Sequence, residues 1–287
     1  NEEKWIATCL ESVLRKDAFT DKEVIVVDDA STDRTNEILS DFPVAVIRND
    51  KPVGPSSARN IGVREARGRI VVFIDAHCIV EDAQWIGKIL SFFRDPEVGA
   101  VAGYFKRQPS RWGAQRLRIR SRIRVIKSAN AAYRKSVFEQ VGGFDPSIEW
   151  AGDKVLTFKI HRSGWKVVHS REIQIVHAEK LWSLKRATLY GSCFFPLLKR
   201  YPREMMGKSQ AEFSCMGIGL LLTLGLIIDL LYKPPVFTLS FLVIASLLNG
   251  AGRDAPLSDM IKDGFYSTVW AFAYYLGAIL GVRKALV

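Results

Sequence analysis

Cysteine is scarce in this sequence. Cys9, Cys78, Cys193 and Cys215 are spread over 287 residues, and no two stand at the spacing of a disulfide framework or a metal site. A disulfide scaffold is excluded, and a reducing compartment is implied. Internal repeats and low-complexity tracts are missing as well. The opening Asn1-Glu2-Glu3-Lys4 lacks the character of a signal peptide. A disordered chain would be poor in Ile, Leu, Val and Phe, whereas 48% of this chain is hydrophobic. Histidine is limited to four positions, so each place where one occurs carries information.

Charge is unevenly shared along the chain. Residues 1–100 hold 13 basic and 18 acidic side chains, residues 101–215 hold 23 and 8, and residues 216–287 hold 5 and 4. The formal net charge of +11 therefore belongs to the middle of the chain. It implies an anionic partner, whether phospholipid headgroups, phosphorylated substrates or nucleic acid. No acid interrupts residues 106–127, where Arg116, Arg118, Arg120, Arg122 and Arg124 nearly alternate with apolar residues. A period of two makes one face of a strand basic. Such a rail suits lipid phosphates, at about 1 kcal/mol per basic residue; a solvated face is the plainer alternative. Nucleic acid is disfavoured because no nucleic-acid fold signature accompanies the run.

The C-terminal region is nearly free of charge. Met216–Tyr232, Val236–Leu248 and Phe265–Val282 are apolar runs. A membrane span needs roughly 17–25 residues, which the first and third runs reach. Aromatic ends and basic flanks favour a membrane over buried soluble helices. Residues 206–287 are expected to form an anchor of two to three transmembrane helices, with residues 1–205 as a separate domain on the cytoplasmic face of the cell membrane.

That first part alternates strand and helix. Trp5, Ile6, Cys9, Leu10, Val13 and Leu14 share a helical face. Glu23–Asp28, Val44–Arg48, Arg69–Asp75 and Val98–Phe105 read as strands, with helices opening near Ser31, Pro55 and Asp82. The expected fold class is α/β, a mostly parallel sheet with helices on both faces. Ligands of such sheets bind beyond the carboxyl ends of the strands. Two strands end there in acids, at Asp28-Asp29 and at Asp75.

Four segments then occur in order: VIVVDDASTDRT (24–35), GPSSARNIGVREARGRIVVFIDAHC (54–78), SANAAYRKSVFEQVGGFD (128–145) and AGDKVLTFKIHRSGWKV (151–167). Together they resemble the family 2 glycosyltransferases, over about residues 1–205. The resemblance implies a GT-A fold and a nucleotide-sugar donor such as a UDP- or GDP-sugar. It implies an inverting transfer to a lipid-linked or cell-envelope glycan acceptor. Family members open on a strand ending near NEE, so a first strand is expected ahead of Asn1.

Residue roles follow from the same resemblance. Asp29, with Asp28 beside it, corresponds to the acids that read the nucleoside, since a carboxylate accepts hydrogen bonds from base and ribose. Arg59 and Asn60 match the step near the donor, where Arg can pair with phosphate. Asp75 and His77 stand where the family carries Asp-x-Asp, which holds a divalent cation against the diphosphate. Imidazole is softer than carboxylate, which moves the preference from Mg²⁺ toward Mn²⁺. His177 matches a late His that completes the metal site in some GT-A enzymes. Asp153 corresponds to the general base. Gly143, Phe144 and Asp145 match the acceptor loop, and Trp150 could stack on sugar. The rival readings are a processive polysaccharide synthase, whose Gln-x-x-Arg-Trp motif is missing here, and a non-catalytic membrane scaffold with a degenerate metal site.

Overall fold

The computed structural model describes residues 1–16, 18–106, 125–148, 151–178, 192–202, 204, 205 and 275. Among these, no helix is long and apolar enough to cross a membrane. The three expected spans lie outside the described residues, Tyr275 apart, as do Trp150 and most of the basic run. The chain divides into two compact units, Asn1–Gln108 with Val125–Lys180, and Pro109–Arg124 with Leu181–Val287. In the second, one short helix (Phe194–Arg200) buries Phe194 and Leu197 and ends on Lys199 and Arg200, where basic groups suit the helix dipole.

The first unit opens with α1 (Ile6–Glu11), which continues as a π-helical turn, Ser12–Lys16. Ile6, Cys9 and Leu10 form its buried face, as their spacing predicts. Next come β1 (Ile25–Asp28), α2 (Thr35–Leu39), β2 (Ala45–Arg48), α3 (Pro55–Glu65), β3 (Ile70–Ile74) and β4 (Cys78–Ile79). They are followed by α4 (Trp85–Phe92), β5 (Val98–Lys106), β6 (Asn130–Arg134), α5 (Lys135–Gln140), α6 (Gly152–Arg162) and β7 (Lys166–His177). Pro55 begins α3 at a position where its missing N–H costs nothing.

β1 and β2 pair in parallel as a two-stranded sheet, and a five-stranded sheet has the order β3-β6-β5-β7-β4. In the larger sheet β3, β5 and β7 run one way, while β6 and β4 run against them. The expectation of a mostly parallel sheet holds for strand direction but not for hydrogen-bonded neighbours. β6 is the cause: it enters between β3 and β5 and is antiparallel to both. Its sequence, NAAYR, is too short and small-sided to read as a strand from periodicity.

Two core layers sandwich that sheet. On one side Trp85, Ile89 and Phe93 pack over Val101, Ala132, Ile173 and Ile175. On the other Val63, Phe138, Leu156 and Ile160 pack over Ala100, Ala102, Ala131 and Tyr133. Each such large side chain contributes about 1.5–3 kcal/mol on burial. A third cluster around Ile6, Leu10 and Leu39 seals α1 and α2 against β1 and β2.

Asn130, fully buried, ties the middle of the sheet. Its Oδ1 accepts from Trp85 Nε1 at 3.1 Å, and its Nδ2 donates to the carbonyls of Tyr104 (3.0 Å) and Ile173 (3.3 Å). The β5–β7 pairing is irregular there, between Ala102 and Tyr104. Gly103 makes the room, since a Cβ on it would collide with Asn130 and would sit 2.6 Å from the Ile173 carbonyl.

Candidate active site

Three side chains meet at the corner where β3 and β7 end and β4 begins. β3 delivers Asp75 just beyond Ile74. The β4–β7 ladder pairs Cys78 with His177, and the Ala178 N–H donates to the His77 carbonyl at 2.9 Å. Backbone pairing thus brings residues 77 and 177 together across a hundred positions. Asp75, His77 and His177 each offer a ligand atom, and these atoms lie within 4.8 Å of one another. His77 Nε2 is 3.2 Å from His177 Nε2 and 4.0 Å from Asp75 Oδ2. Phe105 sets its ring edgewise to His177, centroids 5.2 Å apart. One carboxylate and two imidazoles form a donor set that fits a divalent cation. Two thiols lie close by: burial pushes Cys9 up to about 12 and raises Cys78 as well.

A second corner is built by side chains. Asp153 lies in the first turn of α6, where a carboxylate suits the helix dipole. Ser128 donates to Asp153 Oδ1 twice, through its hydroxyl and through its N–H at 3.3 Å. Thr157 Oγ1 donates to the Asp153 carbonyl at 2.7 Å and accepts the Ile126 N–H at 3.1 Å. Residues 126–128 are in this way laced to α6. Beneath them Tyr133 is fully buried; burial drives its phenol well above the ordinary value and the Asp153 carboxylate adds to the push.

Arg59 joins the two corners. Its Nη2 donates to Asp75 Oδ1 at 2.8 Å, and its guanidinium lies 5.6 Å from the Phe144 ring centroid. Burial pulls its pKa down, but Asp75 and then Asp153 outweigh burial and leave it raised. Arg59 stays cationic, hydrogen-bonded to Asp75 and within electrostatic reach of Asp153.

The other expected site residues are held by contacts within the protein. Asn60 uses both ends of its amide on the backbone of Phe144, donating to the carbonyl at 2.9 Å and accepting the N–H at 3.0 Å. It clips the Gly143–Asp145 loop to α3. Phe144 is 1% exposed and stacks edgewise with Phe73 and Phe138, so it supports the loop from inside the core instead of facing an acceptor. Asp145 is buried and accepts from Ser147 N–H (3.0 Å) and Oγ (2.6 Å), as a turn former does. Gly143 is needed for its backbone φ of +55° and because a Cβ would sit 2.7 Å from Asn60 Oδ1. Asp29 accepts from Asn49 Nδ2, Val53 N–H and Gly54 N–H at 2.8–2.9 Å. Burial works against these bonds, yet they hold its carboxyl below the usual range. Asp28 is buried, accepts the Ser31 N–H at 3.1 Å and lies 3.7 Å from Arg48 Nε. A cleft of about 480 Å³ opens beside this pair, lined by Ser31, Thr32, Arg48, Asn49 and Lys51 among others. Ala30, next in the chain, is held at φ +59°, a left-handed conformation that strains a residue with a Cβ.

Nothing in the sequence marks Glu2 or Ser128 as a site residue, although Ser128 opens the third of the segments that carry the resemblance and Glu2 stands in the NEE opening. Each is ordinary in type and spacing, and only the fold reveals what it touches.

Residues 1–148 match the family described as Glycosyl transferase family 2. An O-antigen chain rhamnosyltransferase, WbaN of Salmonella anatum, is 29% identical over 184 residues, covering 54% of this chain and 56% of that protein. The glycosyltransferase AglE of Haloferax volcanii is 28% identical over 190 residues, covering 60% of this chain and 62% of that one. The chain spans less than two thirds of the length of either relative. Among solved structures, the mannosyltransferase PcManGT of Pyrobaculum calidifontis, in complex with GDP-Man and Mn²⁺, has a similar fold. Its TM-score is 0.61 at 20% identity, over 98% of this chain and 83% of that one.

Proposed function

The chain belongs to glycosyl transferase family 2, and from that premise we propose that it moves a sugar from a nucleotide-diphosphate sugar to a lipid-linked or envelope-glycan acceptor with inversion. The observation that carries this reading is the meeting of Asp75, His77 and His177 at one corner, with Arg59 linking it to Asp153. Asp75, His77 and His177 would hold a divalent cation, Mn²⁺ in preference to Mg²⁺. A cation bound there neutralises the diphosphate of the departing nucleotide.

The remaining work falls to the chain's own groups. Asp153 takes the proton of the acceptor hydroxyl as the nucleotide leaves from the opposite side of the sugar. Ser128 holds one oxygen of that carboxylate, which fixes the direction of the other. Arg59 supplies a permanent positive charge at the boundary and can turn to phosphate. Asn60 and Gly143 keep the loop ahead of Asp153 in place. The nucleoside belongs at the Asp28–Asp29 end, beside the 480 Å³ cleft. The sugar-nucleotide and cation named with the mannosyltransferase, and the O-antigen role named for the relative, support the donor and acceptor classes.

We also read residues 206–287 as a membrane anchor and the basic run as facing lipid phosphates, on the strength of their sequence. The catalytic domain would then lie on the cytoplasmic face. β1 and β3 each have one edge unpaired among the described residues, which supports the reading that a further strand belongs beside them. The test is a panel of UDP- and GDP-sugars with Mn²⁺ or Mg²⁺, using the protein in membranes and scoring nucleotide release. Turnover with one donor, raised by Mn²⁺ and lost in Asp153→Asn, is the expected result. Nucleotide release indifferent both to metal and to Asp153 overturns the reading.

A further inference from the structure

We propose that Glu2 is the positioning residue of the metal corner: its carboxylate takes the Nδ1–H of His77 and so turns the His77 Nε2 lone pair toward Asp75 and His177. The proposal rests on the metal reading given above. Glu2 Oε1 lies 3.1 Å from His77 Nδ1. An ionised carboxylate can only accept a hydrogen bond, so the ring nitrogen facing it carries the proton. In a neutral imidazole the other nitrogen then has the lone pair. That nitrogen, Nε2, is the one 3.2 Å from His177 Nε2 and 4.0 Å from Asp75 Oδ2. His77 is thus presented to the corner in a ligating form, by a contact on the far side of its ring.

Glu2 is itself held firmly enough to do this. Its N–H donates to Thr35 Oγ1 at 2.8 Å, and its carbonyl accepts from Trp5 and Ile6 at 2.9 Å, which starts α1. Thr35 is buried and fixed in turn by Asp33, through contacts of 2.6 and 3.1 Å. The backbone of residue 2 is therefore clamped between the beginnings of α1 and α2. A carboxylate behind a ligating imidazole orients the ring and raises its basicity, and losing such a partner costs about 10–100-fold in metal affinity.

The test needs no sugar donor. Mn²⁺ is titrated into the full chain and into Glu2→Ala, Glu2→Gln and His77→Ala, with free Mn²⁺ read by electron paramagnetic resonance. In parallel, long-range ¹H–¹⁵N spectra of histidine-labelled protein report which ring nitrogen of His77 is protonated. Glu2→Ala is expected to weaken Mn²⁺ about 10–100-fold and to lose the Nδ1–H bias. Glu2→Gln keeps the side-chain volume and an accepting carbonyl, so a smaller loss is expected and misfolding is controlled for. Wild-type affinity in Glu2→Ala, while His77→Ala loses the ion, overturns the proposal and leaves the metal reading standing. A wild-type His77 protonated at Nε2 overturns it as well. A wild-type chain that binds no Mn²⁺ overturns the metal reading and this proposal with it.

Discussion

The proposed metal corner and the proposed base corner are assembled by different means. Asp75, His77 and His177 are placed by strand ends and by the β4–β7 ladder, so their backbone positions owe little to the side chains themselves. Asp153 is held by Ser128 and Thr157, and Asn60 holds Phe144, through side-chain bonds between loops and the helices α3 and α6. A substitution in the first corner should remove chemistry and leave shape. One in the second should disturb neighbours as well.

The largest expected effect strikes the base. Asp153→Asn keeps an oxygen for Ser128 but cannot take a proton, and general-base catalysis is worth about 10²–10⁴-fold. Nucleotide release should fall by that factor while Mn²⁺ binding is retained; loss of both would mean that the two corners are not separable. His177→Ala comes next, with Mn²⁺ affinity lowered by at least roughly 100-fold, beyond the range seen for outer partners. Its circular dichroism and melting point should stay close to wild type, and a collapse of either would show that the corner depends on its side chains after all.

Gly143→Ala forces a Cβ into a left-handed backbone and against Asn60. The conformation alone costs about 1–2 kcal/mol, so denaturant unfolding should show at least that loss and a lowered kcat. Ser128→Ala frees one oxygen of Asp153 and is expected to lower kcat about 10-fold through misplacement, with Mn²⁺ affinity unchanged. An unchanged kcat would show that α6 alone positions the base. The smallest effect is expected at Ala30, where glycine relieves the left-handed strain. Ala30→Gly should gain up to about 1 kcal/mol of stability, read in the same unfolding experiment.

The asymmetry between the corners also explains what could be read in advance. Apolar strands ending in Asp28 and Asp75, the amphipathic spacing of α1 and the scarcity of histidine are local signals, and the ends of β1 and β3 are legible from them. β6 was hidden because Ala131 and Ala132 carry no periodic signal. The roles of Asn60 and Ser128 were hidden for a different reason: their partners lie 84 and 25 residues away, and an Asn or a Ser fits any surface. Phe144 was assigned to an acceptor because its loop resembled one, whereas its burial depends on Phe73 and Phe138, which no spacing rule connects.

The irregularity that Asn130 bridges acts as a phase slip. Between two matched pairs β5 moves two residues on, from Ala102 to Tyr104, while β7 moves five, from His169 to Gln174. Side chains alternate sides along a strand, so an odd excess exchanges the sides taken by odd and even positions. Val167 packs in the layer of Phe138 and Leu156, but Ile173 and Ile175 pack in the opposite layer with Trp85. His177 inherits the second parity and arrives beside Phe105 and His77. Had the two strands stayed in step, the same histidine would point through the other face of the sheet. The three residues by which that excursion exceeds its partner are therefore what bring His177 into register on the face of Phe105 and His77.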